Sequence, residues 1–194
     1  MDGLETIIEN SRVFYFDWEL DLLHWFQSIH NSFLDFIVPK ITMLGNAGWF
    51  WLVVTFLLII IPSKRKWGLQ AFIATIITVI ICNLILKPGI MRCRPCWLEP
   101  EVQMLVKVPH DYSFPSGHSN MSFAVATAIF TQNKKFGIPA LVLAALIAIS
   151  RLYVFVHWPT DVLVGTLIGI CGGIASYYII NYLYKKFGKE VDTI

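Results

Sequence analysis

The sequence predicts an all-α fold, a polytopic membrane bundle of about six helices, and its charged residues carry that prediction. Of the 194 residues, 56% are hydrophobic and only 14% are charged, whereas a soluble domain carries about a quarter charged residues. The charges are also segregated, because no Asp, Glu, Lys or Arg occurs in residues 41–63, 67–86, 119–133, 136–150 or 162–184. Each stretch is about long enough, at roughly 1.5 Å per residue, to cross most of a ~30 Å hydrocarbon core.

These stretches define the predicted elements. Five clear spans are expected at about 47–62, 68–87, 118–132, 138–155 and 160–184. Before them, apolar residues from Asp17 to Phe36 recur at three- and four-residue steps, which predicts an amphipathic helix with Asp17 as its N-cap. This helix either lies in the membrane interface or leads into a first span ending near Gly45. We expect one domain over residues 1–194, with an N-terminal segment over 1–40 and a bundle core over 41–184.

The basic residues between the spans predict which side of the membrane each connection occupies. They form three clusters, which fall on one side if the spans alternate: Lys64, Arg65 and Lys66; Lys134 and Lys135; Lys185, Lys186 and Lys189. Short cytoplasmic loops carry an excess of Lys and Arg. We therefore expect this side, with the C-terminus, to be cytoplasmic, and the connections 87–117 and 151–160 to face outward.

The outward connections are unusually rich in cations and histidines for that side of a membrane. Lys87, Arg94 and Arg151 are fixed cations, and they suit a multiply charged anion such as phosphate. The sequence Pro-Ser-Gly-His at 115–118 stands just before an apolar helix, whose first N–H groups can bind an oxyanion. Gly117 would let the backbone approach closely, and Ser116 could add its hydroxyl.

Two histidines in these connections are candidates for acid–base and nucleophilic chemistry. His157 and Asp161 are four residues apart, so on a helical turn they share a face. Asp161 could then accept a hydrogen bond from one ring nitrogen and leave the other as a nucleophile, with His118 as the acid. A metal site built from these residues is disfavoured, because three nearby cations would repel a divalent ion. We expect no cofactor and no nucleic-acid partner.

Taken one at a time, these residues have plainer explanations. Lys87 and Arg94 could be interfacial cations whose charged ends reach the headgroups, and either histidine could be an interfacial side chain with satisfied hydrogen bonds. Their joint order and spacing favour a functional site.

Three motifs occur in order: Lys87-x6-Arg94-Pro95, Pro-Ser-Gly-His at 115–118, and Ser150-Arg151-x5-His157-x3-Asp161. With them the chain resembles the type 2 phosphatidic acid phosphatase superfamily of membrane lipid phosphatases, over about residues 40–184. The resemblance implies a six-helix bundle and metal-independent hydrolysis through a phosphohistidine. It implies that His157 attacks phosphorus, Asp161 orients it and His118 protonates the leaving group. It also implies the residues that hold the phosphoryl oxygens: Lys87, Arg94, Ser116, Gly117 and Arg151.

The substrate implied by the resemblance is a lipid phosphate or diphosphate on the outer face of the membrane, first of all undecaprenyl diphosphate. Phosphatidylglycerophosphate, phosphatidic acid and diacylglycerol diphosphate are close competitors, because the motifs contact only the phosphate end. A non-catalytic lipid-binding or transport protein would need the cations but not His157 with Asp161. Vanadate-binding haloperoxidases share these motifs, but the membrane spans argue against that chemistry.

Two further patterns have more than one interpretation. Gly165, Gly169 and Gly173 form a stripe of small residues on the last span, which favours close packing inside the bundle and, second, a homodimer contact. Cys93 and Cys96 form a single CxxC, for which free thiols or an incidental disulfide is the expectation.

Overall fold

The computed structural model describes residues 3–191, and within that range the chain is all-helical with no β-strand. The predicted fold class is therefore confirmed. A π-helical segment, Ile80–Leu86, continues α5, and short 3-10 turns at Asn46–Gly48 and Pro62–Lys64 precede α4 and α5. In chain order the α-helices are α1 Gly3–Glu9, α2 Asp17–Ser28, α3 Ser32–Met43, α4 Trp49–Ile60, α5 Arg65–Val79, α6 Lys87–Ile90, α7 Pro95–Leu98, α8 Gly117–Gln132, α9 Lys134–Tyr153 and α10 Pro159–Val191.

The bundle is built around α8, which α5, α9 and α10 surround. The most extensive helix contact in the described residues is between α8 and α10, where the glycine stripe lies. A Cβ atom on Gly165 would stand 2.6 Å from the Ser116 carbonyl oxygen, and one on Gly169 would stand 2.5 Å from the Asn120 carbonyl oxygen. Close packing therefore accounts for the stripe, since α8 covers it and a second copy could not use the same glycines. The homodimer stays a prediction.

Within residues 3–191, length and apolar composition identify three helical stretches that could cross a membrane: Pro62–Ile90, Lys134–Tyr153 and Pro159–Phe187. A fourth is formed by α3 together with Asn46–Ile60, bent by 46°. The bend occurs where Ala47 and Gly48 have positive φ angles of 49° and 67°, and a Cβ atom on Gly48 would stand 2.8 Å from Met121 Cε. These criteria give three to four spans, so the count of about six helices stays a prediction.

The predicted N-terminal amphipathic helix is divided in two. Asn31 ends the periodic stretch by capping α3, its Oδ1 accepting from the backbone N–H groups of Phe33 and Leu34. The N-cap of α2 is Phe16 rather than Asp17, which is the first helical residue. With 12 residues, α2 spans only about 18 Å. It lies over one end of the bundle, where Gln27 donates to the Tyr153 carbonyl oxygen at 3.1 Å.

The opposite end of the bundle carries the basic clusters. Lys64 Nζ lies 5.9 Å from the centre of the ring of Phe136, the residue that follows Lys135. Lys66 Nζ lies 5.2 Å from the centre of the Tyr184 ring. Lys64–Lys66, Lys134–Lys135 and the start of the last cluster, at Lys185 and Lys186, therefore approach one another at the end away from α2.

Candidate active site

A cavity of about 720 Å³ opens at the end of the bundle that α2 covers. Six of the eight residues predicted from the sequence line it, although they come from distant parts of the chain: Lys87, Arg94, Gly117, His118, Arg151 and His157. The other two, Ser116 and Asp161, are fully buried behind its wall. The structure thus brings all eight to one place.

Helix ends supply these side chains. Lys87 follows the π-helical segment, whereas Arg94 is the N-cap of α7. Gly117 and His118 form the first turn of α8, and Arg151 lies in the last turn of α9. Backbone at helix ends has unpaired polar groups, so it can both position side chains and bind an anion.

His157 is 2% exposed and makes a polar contact through each ring nitrogen. Nδ1 lies 3.4 Å from Asp161 Oδ2, and Nε2 lies 3.3 Å from Arg94 Nη1. Because a guanidinium can only donate, Nε2 must accept, and the ring proton belongs on Nδ1. Burial, then Arg94, Arg151 and Lys87, lower the pKa of His157 well below its ordinary value. The Nε2 lone pair is therefore available at neutral pH.

The pairing of His157 with Asp161 differs in one respect from the sequence-based expectation. The two residues do not share a helical face, because His157 precedes the start of α10 at Pro159. Asp161 instead turns back at the helix start, where its Oδ2 accepts from the Trp158 backbone N–H at 2.9 Å.

Among the described residues four donors surround the Asp161 carboxylate, and two of them come from residues that no motif specifies. Oδ2 accepts from the Ser113 hydroxyl as well as from Trp158 N and His157. Oδ1 accepts from Arg92 Nη1 at 2.6 Å. Sequence reasoning missed Ser113 and Arg92, although Arg92 had a signal, because it is a further cation in an outward connection already rich in them.

Lys87 and Arg94 are bridged by Asp111, another residue that the motifs omit. The Asp111 carboxylate pairs with Lys87 Nζ through Oδ2. Its Oδ1 lies 2.7 Å from Arg94 Nη2. Arg94 is fixed further by the Val156 carbonyl oxygen at 2.6 Å. Burial would raise the pKa of Asp111, but Arg94 and Lys87 outweigh it and hold that pKa below its usual range.

Arg151 and His118 face the cavity from the other wall. Arg151 Nη1 donates to Thr42 Oγ1 at 2.5 Å, while its Nε is buried without a hydrogen-bond partner among the described residues. His118 Nε2 lies 3.0 Å from Asn46 Oδ1, so Nε2 carries a proton in this contact. A Cβ atom on Gly45 would stand 2.4 Å from His118 Cδ2, and this close approach holds the ring against the α3–α4 bend.

Ser116 is the predicted phosphate ligand whose position differs from expectation. Its hydroxyl is buried and lies behind the cavity wall, where Oγ accepts from Ser119 N at 3.5 Å and contacts Ser119 Oγ at 3.1 Å. It is the N-cap of α8. Its backbone N–H donates to the Asp161 carbonyl oxygen at 3.0 Å, which ties the start of α8 to the start of α10.

The cavity also has an apolar part. Pro39, Met43 and Leu52 line it from α3 and α4, and Met43 and Leu52 are also about half exposed on the outer surface of the bundle. The loop between α7 and α8 closes another side with Leu105, Val106 and Val108. Arg94 and Arg151 are therefore buried parts of the lining, whereas the apolar part includes side chains that also reach the outer surface of the bundle.

Comparison with known proteins identifies the family. The sequence profile of the PAP2 superfamily matches residues 67–185, more than half of the chain. Over 120 residues the chain is 36% identical to an undecaprenyl-diphosphatase of Sulfolobus acidocaldarius, a match that covers 61% of this chain and 58% of that relative. Over 160 residues it is 30% identical to the undecaprenyl-diphosphatase BcrC of Bacillus subtilis, covering 82% and 78% of the two chains.

One other relative is named for a different lipid, and a solved structure is similar over most of the chain. The chain is 28% identical over 192 residues to a lipid A 4'-phosphatase of Bacteroides thetaiotaomicron, covering 93% of this chain and 84% of that one. The crystal structure of LpxE from Aquifex aeolicus superposes with a TM-score of 0.67 at 28% identity, covering 84% and 96% of the two chains. The resemblance seen in the three motifs is confirmed.

Proposed function

This chain belongs to the PAP2 superfamily, and from that membership we propose that it is an integral-membrane phosphatase acting on lipid phosphates or diphosphates. The observation that carries the proposal is the environment of His157 Nε2. This atom carries no proton, faces a cavity, and is surrounded by the cations Lys87, Arg94 and Arg151, and in the free protein its lone pair accepts from Arg94 Nη1. A nucleophile next to an anion-binding cradle is what phosphoryl transfer requires.

The reaction has two displacements at phosphorus. In the first, His157 Nε2 forms a bond to phosphorus, the bond from phosphorus to the leaving oxygen breaks, and His118 gives that oxygen a proton. In the second, His118 takes a proton from water, the water oxygen bonds to phosphorus, and the P–N bond breaks to release inorganic phosphate. Asp161 holds the Nδ1 proton throughout and stabilises the charge that develops on the ring.

The remaining site residues hold the phosphoryl oxygens. Lys87, Arg94 and Arg151 neutralise the charge that develops there, and Arg151 Nε is a buried donor that the described residues leave unpaired. Gly117 offers a backbone N–H at the start of α8. Ser116 contributes through the cap that fixes this turn rather than by direct contact, since its hydroxyl is fully buried.

We propose undecaprenyl diphosphate as the substrate and the outer face of the membrane as the site of reaction. The apolar part of the cavity supports a lipid whose chain leaves sideways past Met43 and Leu52. The names of two relatives support the polyprenyl diphosphate. Lipid A bearing a 4'-phosphate is the second candidate, because another relative carries that name.

The experiment is phosphate release by the purified chain, with EDTA present, from undecaprenyl diphosphate, lipid A, phosphatidylglycerophosphate and phosphatidic acid. Wild type, His157→Ala and His110→Ala are compared, since His110 is an exposed histidine in the neighbouring loop. We expect release by wild type and His110→Ala, fastest from undecaprenyl diphosphate, and none by His157→Ala. Release by His157→Ala would contradict the nucleophile, loss with EDTA would contradict metal independence, and a faster rate with another lipid would replace the substrate.

A further inference from the structure

Behind the active site, Asp161 belongs to a row of three buried charges, and the reaction described above does not use the other two, Arg92 and Glu19. Glu19, Arg92 and Asp161 are 0%, 1% and 0% exposed. Arg92 lies between the two carboxylates, with Nη2 2.7 Å from Glu19 Oε2 and Nη1 2.6 Å from Asp161 Oδ1. Burying three charges is costly unless each is well paired.

Arg92 and Glu19 also have hydrogen-bond partners other than each other and Asp161. The Nε of Arg92 donates to the Phe14 carbonyl oxygen at 3.0 Å, and Nη1 also donates to Thr160 Oγ1 at 2.7 Å. Glu19 Oε1 accepts from the backbone N–H and the hydroxyl of Thr160, at 3.0 and 2.6 Å. Because the guanidinium is planar and its donors point in fixed directions, Arg92 helps to orient both carboxylates. It does so together with Ser113 and Trp158 at Asp161 and with Thr160 at Glu19.

The orientation of the Asp161 carboxylate determines whether it can accept the His157 Nδ1 proton in a hydrogen bond and so keep Nε2 unprotonated. With Oδ1 held by Arg92, the other oxygen, Oδ2, is left to face His157 Nδ1. A carboxylate free to rotate about its terminal torsion would offer either oxygen or neither to the ring. A group that orients the partner of a reactive histidine acts on the histidine itself, as the outer ligands of metal-bound histidines do.

Through Glu19, helix α2 also contacts the residues behind the active site. Glu19 lies in α2, and its carboxylate reaches the first turn of α10 across a separation of 141 residues in the chain. The segment before α2 is joined to the same place, because Arg12 N donates to the Met91 carbonyl oxygen at 2.7 Å and Cys93 N donates to the Arg12 carbonyl oxygen at 2.9 Å. Arg92 is thus held between an N-terminal segment and α10.

We propose that Arg92 and Glu19 are positioning residues for the nucleophile, acting through Asp161, so that α2 is part of the catalytic apparatus. This inference rests on the proposed phosphatase function. Neither residue lines the cavity, and neither is a specified position of the three motifs, because Arg92 falls at an unspecified position of the first motif and Glu19 lies outside all three.

The test compares kcat and KM for the purified full chain carrying Arg92→Gln, Arg92→Lys or Glu19→Gln. The matched controls are Arg12→Gln and Asp21→Asn, which remove exposed charges from the same segment. By analogy with the outer partners of metal-bound histidines, we expect kcat to fall about 10- to 100-fold in Arg92→Gln, with KM within about twofold of wild type. Arg92→Lys keeps the charge but not the fork of donors, so its kcat should be intermediate.

A loss that acts through Asp161 should vanish once Asp161 is changed. Arg92→Gln is therefore also combined with Asp161→Asn, where we expect no further fall in kcat. The proposal would be overturned by an unchanged kcat in Arg92→Gln, or by a rise in KM as large as the fall in kcat. It would also be overturned if Arg92→Gln lowered kcat as much in the Asp161→Asn background as in the wild type. If Arg92→Gln does not fold, Arg92→Lys and Glu19→Gln are judged by the same criteria.

A second readout does not depend on turnover. In histidine-labelled protein, with the His157 signals assigned from His157→Ala, the Nδ1–H resonance should move in Arg92→Gln and stay in place in Arg12→Gln. An unmoved resonance in Arg92→Gln would overturn the positioning role. If the wild type released no phosphate from any lipid, the proposed function would fail, and this NMR comparison alone would decide the role of Arg92.

Discussion

Asp111 forms ion pairs with Lys87 and Arg94, two of the cations that the proposed function assigns to phosphate binding. Its carboxylate bridges Lys87 and Arg94 in the free protein, although its side chain is 54% exposed. A substrate phosphate that binds both cations must displace it. The residue therefore competes with the ligand, and removing its charge should strengthen phosphate binding.

We expect Asp111→Asn to lower the inhibition constant of inorganic phosphate by about two- to fivefold, because an ion pair with one exposed partner contributes roughly 0.5–1 kcal/mol. The Arg94 and Lys87 charges hold the pKa of Asp111 below its usual range, so the carboxylate stays ionised and the gain should be the same from pH 8 down to pH 5. Glu101→Gln, an exposed acid in the same loop, is the control. If the inhibition constant does not fall, or falls equally in Glu101→Gln, Asp111 does not compete with phosphate for these cations.

The same residues show what the sequence could and could not predict. The order and spacing of three motifs predicted the eight residues that the structure brings to one place, because each motif is a local pattern at a helix end. Ser113 and Arg92 contact Asp161 from 48 and 69 positions away in the chain, and Glu19 contacts Arg92 from 73 positions away. Their contacts depend on how distant segments pack, and single-sequence patterns carry no signal of that.

At the scale of elements, apolar stretches and caps predicted which segments are helical but not how they bend. The predicted spans at 68–87, 118–132, 138–155 and 160–184 all appear as helices. The π-helical segment Ile80–Leu86 was not predicted, since it is as apolar as its neighbours. Its wider turn changes the register at which Lys87 leaves the bundle, and such segments are frequent at functional sites. The break between α2 and α3 depends on one cap, Asn31.

The contact between α8 and α10 is the element-level feature most open to test. Adding a methyl group at Gly165 places Cβ 2.6 Å from the Ser116 carbonyl oxygen, a backbone atom that can yield only if the start of α8 moves. We expect Gly165→Ala to destabilise the protein by about 1–3 kcal/mol and to reduce activity, because Gly117 and His118 move with Ser116.

The measurement is thermal unfolding in detergent, where each kcal/mol corresponds to roughly 2–4 °C in Tm. Gly89→Ala is the matched control, since a Cβ atom there would meet nothing within 4 Å. An unchanged Tm and activity in Gly165→Ala, or equal losses in Gly89→Ala, would show that α8 and α10 are not held this closely.

The whole molecule has two chemically different ends. One end carries the cavity, with α2 packed over it and the aromatic residues Trp18 and Trp25 half exposed on its surface. Trp residues with one polar edge are typical of the membrane interface. The other end gathers the basic clusters, as the contacts of Lys64 with Phe136 and of Lys66 with Tyr184 indicate. The sequence predicted this division from charge alone, because sidedness depends on loop composition rather than on packing.

This division predicts the orientation in the membrane, since short loops rich in Lys and Arg stay in the cytoplasm. The basic end should be cytoplasmic and the cavity extracytoplasmic. In intact cells, a membrane-impermeant maleimide should label Lys107→Cys, an exposed position in the loop beside the cavity, and should label Lys135→Cys only after permeabilisation. The unsubstituted chain is the control, because Cys82, Cys93 and Cys96 are buried and the exposed Cys171 lies within a predicted span. The reverse labelling pattern would place the cavity in the cytoplasm, where a lipid phosphatase would meet only substrates of the inner leaflet.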